Sequence, residues 1–189
     1  GGGDDGGGTG GGSTTVAAID VLASSPQVGS GGDTIDITAV VKGAGNVSLA
    51  STAVTFTSDS GILTDVVTTT DASGVATAKL SAGADKSNRN IVVQVTSGSI
   101  TGRVDVAVTG TTLSLSGATT IALGKAETLT VKATDSKGLE IAGLTVAVSS
   151  SLGNGLSQTE LVTNAQGTAE VEYTATKSGT DTVSFTGAG

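Results

Sequence analysis

One short pattern that occurs twice constrains the fold of this chain more than any other feature. The segments TTDASGVATAKL, at 69–80, and VTNAQGTAEVEY, at 162–173, share the sequence Thr-(Asp/Asn)-Ala-x-Gly-x-Ala. Their glycines, Gly74 and Gly167, lie 93 residues apart. A repeat of this length is long enough for each copy to be a domain with its own core. The pattern therefore predicts two similar domains.

The similarity between the two units extends on both sides of the glycine. Residues 34–61 are similar to residues 128–153, each with an alternating strand, a glycine turn and a second strand. Further along, Val95 and Phe185 take equivalent positions. Glycine permits a positive φ, and a neighbouring Asp or Asn side chain can close a turn on its own backbone. Each motif is thus predicted to be the corner that leads into a strand.

Apolar and polar residues alternate along most of the predicted strands, so that residues i, i+2 and i+4 face one side. The outward faces are expected to carry Thr77, Lys79, Gln94, Asp105, Glu170 and Glu172. The expected core of the first unit is Ile35, Ile37, Ala39, Val54, Phe56, Ala76, Ala78, Leu80, Ile91, Val93, Val95, Val104, Val106 and Val108. That of the second unit is Leu129, Val131, Ala133, Val146, Val148, Ala169, Val171, Tyr173, Val183 and Phe185.

The composition favours two packed sheets in each unit. Aromatic residues make up only 2% of the chain, so Val, Ile, Leu and Ala must fill the interior, and these residues suit thin, interleaved strands. A unit of roughly 100 residues with such strands is typical of an immunoglobulin-like sandwich. The predicted fold is all-β, with two tandem immunoglobulin-like β-sandwich domains at 16–110 and 111–189, preceded by a Gly-rich flexible linker at 1–15.

Absent residue types exclude several classes of function. The sequence has no Cys and no His, so it can form neither a Cys/His zinc site nor a Ser-His-Asp triad. Its net charge of −8 opposes the phosphate backbone, which argues against nucleic acid as a partner. No apolar run reaches the length of a transmembrane span. We predict a non-enzymatic protein with no catalytic, cofactor-binding or metal-binding residues.

Carboxylates are the remaining candidates for chemistry. Glycosidases use two carboxylates around a sugar, but no aromatic platform accompanies the pairs here. Calcium needs several converging oxygen ligands, and no loop has a calcium-binding spacing. A metal at Asp71 is disfavoured because Asn164 replaces it in the second copy. The pairs weighed were Asp59 with Asp65 and Glu170 with Glu172 for sugar cleavage, and Asp4 with Asp5 and Asp33 with Asp36 for calcium.

A longer motif indicates a family. In the first unit it comprises Val54, Phe56, Gly61 and Leu63, followed by Thr70, Asp71, Ala72, Gly74, Ala76 and Leu80. This arrangement resembles the hallmark of the group 1 bacterial immunoglobulin-like repeats of the intimin and invasin adhesins. In the second unit, Val148 takes the position of Phe56 and Asn164 takes the position of Asp71. Tyr173 lies near the position that corresponds to Leu80. The resemblance covers about residues 16–189 and implies a stalk or spacer at a bacterial surface, with no catalytic residues.

The second unit is expected to lack its last strand. The first unit continues past Val95 into the alternating segment RVDVAV at 103–108, whereas four residues follow Phe185. The neighbouring strand would then expose unpaired backbone groups. Two explanations stay open: the strand lies beyond Gly189 in a longer array, or another chain donates it, as in filaments that assemble by strand addition. Residues 13–24 are a candidate donor segment.

The beginning of the chain and the resemblance give expectations about location and partners. The glycine-rich tract is similar to tethers that follow the lipid-bearing cysteine of bacterial lipoproteins; an interdomain linker is the alternative. We expect an exported protein at the bacterial cell surface or outside the cell, with lipid anchoring to the outer membrane as one arrangement. The expected partners are neighbouring immunoglobulin-like domains, other copies of the chain at the edge of the second domain, and a host or other cell-surface receptor.

Overall fold

A computed structural model describes residues 15–189. Of the predicted linker at 1–15, only residue 15 lies within the described residues. Asp4 and Asp5 lie outside them. The regular secondary structure of the described residues consists of β-strands and one short 3-10 helix at Ala44–Asn46. The strands are β1 Val16–Ala23, β2 Gln27–Gly29, β3 Ile35–Gly43, β4 Thr55–Ser58, β5 Ile62–Thr64, β6 Val75–Ser81, β7 Arg89–Ser97, β8 Ile100–Thr109, β9 Thr112–Ser116, β10 Ala126–Thr134, β11 Thr145–Ser150, β12 Gly155–Leu156, β13 Glu160–Val162, β14 Thr168–Thr174 and β15 Val183–Thr186.

The strands form four sheets, arranged as two β-sandwiches. The first sandwich combines a sheet of order β1-β3-β6-β5 with one of order β2-β8-β7-β4. The second combines a sheet of order β12-β14-β10-β9 with one of order β13-β11-β15. Neighbouring strands are antiparallel, except that β2 runs parallel to β8. This confirms the predicted all-β fold with two tandem immunoglobulin-like sandwiches.

Each sandwich has its own hydrophobic core, and the alternation identified most of both cores. Ile37, Leu80 and Ile91 are fully buried in the first sandwich, and Val131, Val146 and Val171 are almost fully buried in the second. Four of the expected core residues are only half-buried and pack at the margin: Ile35, Val104, Val183 and Phe185. Core residues that the sequence reading did not include are Ile19, Val28, Val41, Leu49 and Ala82 in the first sandwich and Ile141, Leu144, Leu161 and Ala175 in the second.

The glycine motif forms the same corner in both sandwiches. Asp71 Oδ1 accepts hydrogen bonds from the backbone N–H groups of Ser73, at 2.8 Å, and Val75, at 3.0 Å. Asn164 accepts the equivalent pair of bonds in the second copy. Gly74 has a φ of 75° and Gly167 a φ of 74°, in the left-handed region that favours glycine. The predicted turn is confirmed, and Asp71 has a structural role in it.

The threonine at the start of the motif holds this corner against the connection that follows β3 in the first sandwich and β10 in the second. Thr70 and Thr163 are both buried, each 4% exposed. Their hydroxyl groups donate to the carbonyl oxygens of Leu49 and Ile141, each at 2.6 Å. Each hydroxyl also accepts a backbone N–H at 2.9 Å. A buried hydroxyl with two partners carries little desolvation cost, which explains why both copies of the motif begin with threonine.

The strand registers confirm the predicted equivalence of Val95 and Phe185. Phe56 lies opposite Val95 in the first sandwich, and Val148 lies opposite Phe185 in the second. Directly opposite residues of an antiparallel pair share a face. Each sandwich therefore places one phenylalanine and one valine at this position, on exchanged strands, so that the combined side-chain volume is preserved.

Candidate interaction sites at the junction and at an open sheet edge

The connection between the sandwiches is two residues long. Strand β8 ends at Thr109 and β9 begins at Thr112, so that only Gly110 and Thr111 link them. Thr111 is buried, 4% exposed. Asn88 holds it from the first sandwich, because the Asn88 amide donates to the Thr111 carbonyl at 2.8 Å and accepts the Thr111 N–H at 3.1 Å. The backbone of the linker is thus held by hydrogen bonds to the first sandwich.

A buried ion pair joins the two sandwiches beside this linker. Lys86 Nζ of the first sandwich lies 2.8 Å from Asp135 Oδ2 of the second, whose side chain has no exposed surface. Asp135 Oδ1 accepts the N–H groups of Lys137 and Leu139. Burial by itself raises the pKa of Asp135, but the bonds from Lys86 and the two N–H groups outweigh it and lower the pKa. The carboxylate is therefore held in its charged form.

The Asp135 turn is the glycine turn expected within residues 128–153, and it is a third copy of the corner geometry. Its glycine, Gly138, has a φ of 77°, and the Gly138 N–H donates to the Asp135 carbonyl at 2.9 Å. The spacing Asp-x-x-Gly in TDSKG is the same as in the repeated motif. That spacing indicates the turn, but it does not indicate that the second carboxylate oxygen of Asp135 contacts Lys86.

Small residues bring the two sandwiches close together. The Ser136 N–H donates to Ser30 Oγ at 3.0 Å, and the Gly31 N–H donates to Ser136 Oγ at 2.7 Å. A Cβ placed on Gly110 would lie 2.5 Å from the Cβ of Ser136. Such a distance leaves no room for a side chain at Gly110. The junction therefore depends on backbone contacts as well as on the ion pair.

The candidate carboxylates for sugar or calcium chemistry that lie within residues 15–189 are on the surface, where they are exposed or have local partners. Asp36 pairs with Lys79 at 2.9 Å, and Asp33 lies 3.5 Å from Lys137, both on the surface. Asp59 Oδ1 accepts the Val92 N–H at 2.9 Å. Asp65, Glu170 and Glu172 are exposed. Residues 15–189 contain no cluster of three or more potential metal ligands.

A polar cluster lies at the margin of the second sandwich, next to buried Asn154 and Tyr173, and was missed in the sequence. The Tyr173 hydroxyl donates to Asp181 Oδ2 at 2.6 Å, and Ser150 Oγ donates to the same oxygen at 2.5 Å. Asn154 Nδ2 lies 3.1 Å from it. Asp181 Oδ1 accepts Ser151 Oγ at 2.9 Å and the Leu152 N–H at 3.0 Å. We refer to these six residues as the Asp181 cluster.

The first sandwich has an apolar contact where the second has this cluster. Val95 and Phe185 are equivalent, so Ile91 and Asp181 are also equivalent, four residues earlier on each chain segment. Leu80 and Tyr173 likewise both lie six residues after the motif glycine. Ile91 and Leu80 are fully buried. The second sandwich has therefore replaced an apolar contact with a carboxylate whose five hydrogen bonds offset its desolvation.

We expect the second sandwich to lose stability in acid. Burial raises the pKa of Asp181, but hydrogen bonds from Ser150, Tyr173, Leu152 and Asn154 outweigh it and hold the pKa far below its ordinary value of 3.8. A lowered folded-state pKa contributes stability that is complete above the unfolded pKa and is lost as the pH falls towards the folded value. Urea unfolding at pH 7 and pH 3 should give a lower free energy of unfolding at pH 3. An Asp181→Asn variant should reduce this difference, and an unchanged difference would contradict the assignment.

The second sandwich has one open sheet edge. In the first sandwich β7 lies between β4 and β8, with ladders on both sides. Its counterpart β15 pairs with β11 on one side, and no other strand of residues 15–189 pairs with it. A groove of about 610 Å³ lies beside this edge and is lined by Leu115, Ile121, Leu129, Tyr173 and Val183 among others. Within residues 15–189, β15 is therefore an edge strand.

Most of the candidate donor segment, residues 13–24, is already paired with another strand. From Val16 to Ala23 they form β1, which pairs with β3 between Val16↔Gly43 and Ala23↔Ile37. Ile19 of β1 belongs to the core of the first sandwich. Donation of this segment to another chain would therefore require the first sandwich to open.

Comparisons with known proteins agree with the fold and with the sequence motif. The family model of the bacterial Ig-like domain (group 1) matches residues 110–189. The structure of the Yersinia pseudotuberculosis adhesin InvE is similar over 93% of this chain and 60% of that chain, with a TM-score of 0.64 and 19% identity. Invasin, a bacterial integrin-binding protein, is similar over 89% of this chain and 36% of that one, with a TM-score of 0.51 and 22% identity.

This chain thus spans less than two thirds of either adhesin structure. A search of curated proteins gave no match. No helix within residues 15–189 is long and apolar enough to cross a membrane. The match of the family model, together with the twofold glycine motif and the sandwich fold, identifies the second sandwich, residues 110–189, as a member of the bacterial Ig-like (group 1) domain family.

Proposed function

We propose that this chain is a non-enzymatic stalk or spacer module of a bacterial cell-surface protein, built from two domains at 16–110 and 111–189. The observation that carries the proposal is the junction. A two-residue linker with a buried threonine, and a buried ion pair across the boundary, restrict the relative motion of the sandwiches. Restricted motion is what a spacer needs in order to hold another domain at a fixed distance.

The similarity to adhesins supports the location rather than a binding activity. InvE is an adhesin and invasin is an integrin-binding protein. We propose that this chain is likewise exported and lies at the bacterial surface, with lipid anchoring as one arrangement. A host or other cell-surface receptor is a further proposed partner.

The spacer role can be tested by measuring the distance between the sandwiches. The chain has no cysteine, so exposed Thr57 and Glu170 can be changed to Cys and spin-labelled without competition. We expect one narrow distance distribution in the parent chain. Asp135→Asn should broaden it, because Asn keeps the turn, as Asn164 does in its own corner, but leaves Lys86 without its charged partner.

A matched control removes an ion pair that lies at the same junction but on the surface. Lys137→Ala eliminates the contact with Asp33, in which both side chains are about half exposed. Surface pairs contribute about 0–1 kcal/mol, so this variant should keep the narrow distribution. A broad distribution in the parent chain itself would overturn the spacer proposal.

The second candidate function is a filament subunit that assembles by donation of a β-strand between chains. The open edge of β15 favours it, since an unpaired edge is a template for strand addition. Analytical ultracentrifugation from 1 to 100 µM separates the two candidates. A filament subunit should form concentration-dependent oligomers, whereas a chain that stays monomeric throughout this range argues against self-assembly.

A further inference from the structure

The second sandwich contains the single Asn-Gly dipeptide of the sequence, Asn154 followed by Gly155. Asparagine is most reactive in this context, because glycine has no Cβ to keep its backbone nitrogen away from the preceding side-chain amide. The other asparagines of the sequence precede bulkier residues, namely Val, Arg, Ile and Ala: they are Asn46, Asn88, Asn90 and Asn164. A covalent change specific to Asn154 is therefore chemically available to this chain.

The reaction is an intramolecular attack followed by hydrolysis. The backbone nitrogen of Gly155 forms a bond to Cγ of Asn154, and the bond from Cγ to the side-chain nitrogen breaks. That nitrogen leaves as ammonia with the proton of the Gly155 N–H, and a five-membered succinimide ring remains. Water then opens the ring at one of its two carbonyl carbons and leaves aspartate or isoaspartate at position 154. The only co-reactant is water.

The folded chain holds both polar atoms of the Asn154 side chain. Its Nδ2 donates to the Tyr173 hydroxyl at 2.6 Å and lies 3.1 Å from Asp181 Oδ2. Its Oδ1 accepts the N–H groups of Thr176 at 2.9 Å and Lys177 at 2.7 Å. The residue is only 6% exposed. The carboxamide cannot turn towards the following backbone nitrogen without breaking these bonds, and such buried polar groups are costly to leave unpaired.

The attacking backbone nitrogen is also held in place. Gly155 begins β12 and lies opposite Thr174 of β14. The backbone N–H of Asn154 donates to Ser150 Oγ at 2.9 Å, which fixes the chain just before the dipeptide. Ring closure requires the Gly155 nitrogen to rotate towards Cγ of Asn154 and hence to leave this arrangement. The reaction therefore requires β12 to detach from β14.

We propose that Asn154 and Gly155 form a deamidation site that the folded second sandwich suppresses and that detachment of β12 exposes. A reaction confined to a transiently open form proceeds at a rate set by the population of that form. Loss of ammonia makes the change irreversible, so the chain keeps a covalent record of the opening. The proposal concerns chemistry within one sandwich and does not depend on the spacer role.

Deamidation reverses the sign of one contact in the Asp181 cluster. A carboxylate at position 154 cannot donate to the Tyr173 hydroxyl. One of its oxygens would take the place of Nδ2, which lies 3.1 Å from Asp181 Oδ2. Two carboxylates at this distance repel each other. A second sandwich that has opened for long enough therefore refolds to a less stable form.

Peptide mapping by mass spectrometry tests the suppression. The full chain is kept in mildly alkaline buffer, either folded or unfolded in urea. We expect the peptide with Asn154 to gain the mass of an amide-to-acid conversion at least tenfold faster in urea, while the peptides with Asn90 and Asn164 stay unchanged. Equal rates at Asn154 in the two conditions, or no reaction in urea, would overturn the proposal.

Gly155→Ala tests the attacking group. The atom nearest to a Cβ placed on Gly155 is the Thr174 Cβ, at 3.3 Å, so alanine fits after a small adjustment. The added methyl group hinders the approach of the backbone nitrogen, and we expect the reaction in urea to slow at least tenfold. An unchanged rate would show that the ammonia is not lost through attack by Gly155.

A pair of variants tests the dependence on opening. Asp181→Ala removes a partner of Asn154 Nδ2 and destabilises the sandwich, so the variant should deamidate at Asn154 faster than the parent chain in buffer without urea. Glu172→Ala, at an exposed position of β14, should react at the rate of the parent chain. Equal rates for the two variants would contradict suppression by the fold.

The consequence for stability can be measured with variants that carry the product residue. Asn154→Asp should lower the urea midpoint that tyrosine fluorescence reports, or abolish that transition. Asn164→Asp is the matched control, because Asp71 already makes the equivalent pair of hydrogen bonds in the first sandwich, and it should keep the midpoint of the parent chain. Equal midpoints for Asn154→Asp and Asn164→Asp would contradict the repulsion from Asp181.

Discussion

Replacing Asp181 with alanine should lower the free energy of unfolding of the second sandwich by about 3 kcal/mol. The substitution removes the acceptor of five hydrogen bonds and leaves the Tyr173 hydroxyl, Ser150 Oγ and the Leu152 N–H without their partner. Buried donors without acceptors cost more than the bonds themselves contribute. Tyr173 is the only tyrosine and the chain has no tryptophan, so tyrosine fluorescence during urea unfolding reports on this sandwich alone.

The matched control for this prediction is Glu172→Ala. Glu172 neighbours Tyr173 on β14 but is exposed, and surface substitutions usually change stability by less than about 0.5 kcal/mol. Equal urea midpoints for Asp181→Ala and Glu172→Ala would show that the Asp181 cluster contributes little to the stability of the second sandwich. If Asp181→Ala lowers the stability only of an unfolding transition that tyrosine fluorescence does not report, the Asp181 cluster does not stabilise the second sandwich.

Replacing Gly167 with alanine should destabilise the second sandwich by about 3 kcal/mol, of which roughly 1 kcal/mol is backbone strain at positive φ. The remainder is steric. A Cβ at Gly167 would lie 2.9 Å from the Ala133 carbonyl oxygen and 3.0 Å from the Ile141 nitrogen. These two atoms form a hydrogen bond with each other, in which the Ile141 N–H donates to the Ala133 carbonyl of β10, so they cannot move apart without loss of that bond. Tyrosine fluorescence in urea measures the change.

Gly138→Ala separates the two contributions. Gly138 closes the same type of turn with a nearly equal φ of 77°, but no atom lies within 4 Å of a Cβ placed there. Only the backbone strain applies, and we expect a loss of about 1 kcal/mol. If both variants lose the same stability, the close approach to β10 does not explain why the motif requires glycine.

The two sandwiches show how one fold accepts different side chains when the total volume is maintained. Phe56 opposite Val95 becomes Val148 opposite Phe185. Cores tolerate such exchanges when volume and pattern are kept. The change from Ile91 to Asp181 is of another kind, because it replaces dispersion contacts with hydrogen bonds and gives one sandwich a dependence on pH that its neighbour lacks at this position.

The sequence alone was sufficient for the features that depend on local chemistry. Alternation places one face of a strand in the core whatever the partner strand is, so Ile37, Val93 and Val171 could be assigned from the pattern. The corner at Gly74 could be assigned because its bonds from Asp71 are local in sequence. The repeat distance gave the number of sandwiches for the same reason.

Only the tertiary structure decided the features that depend on residues far apart in the chain. Lys86 meets Asp135, and Asp181 meets Ser150, Asn154 and Tyr173, across separations that no local pattern records. Each of these charged or polar groups would be unfavourable in the interior without its partner, and the partner is chosen by how two sheets, or two sandwiches, pack. The sequence determined which residues turn inwards, and the packing determined what they meet there.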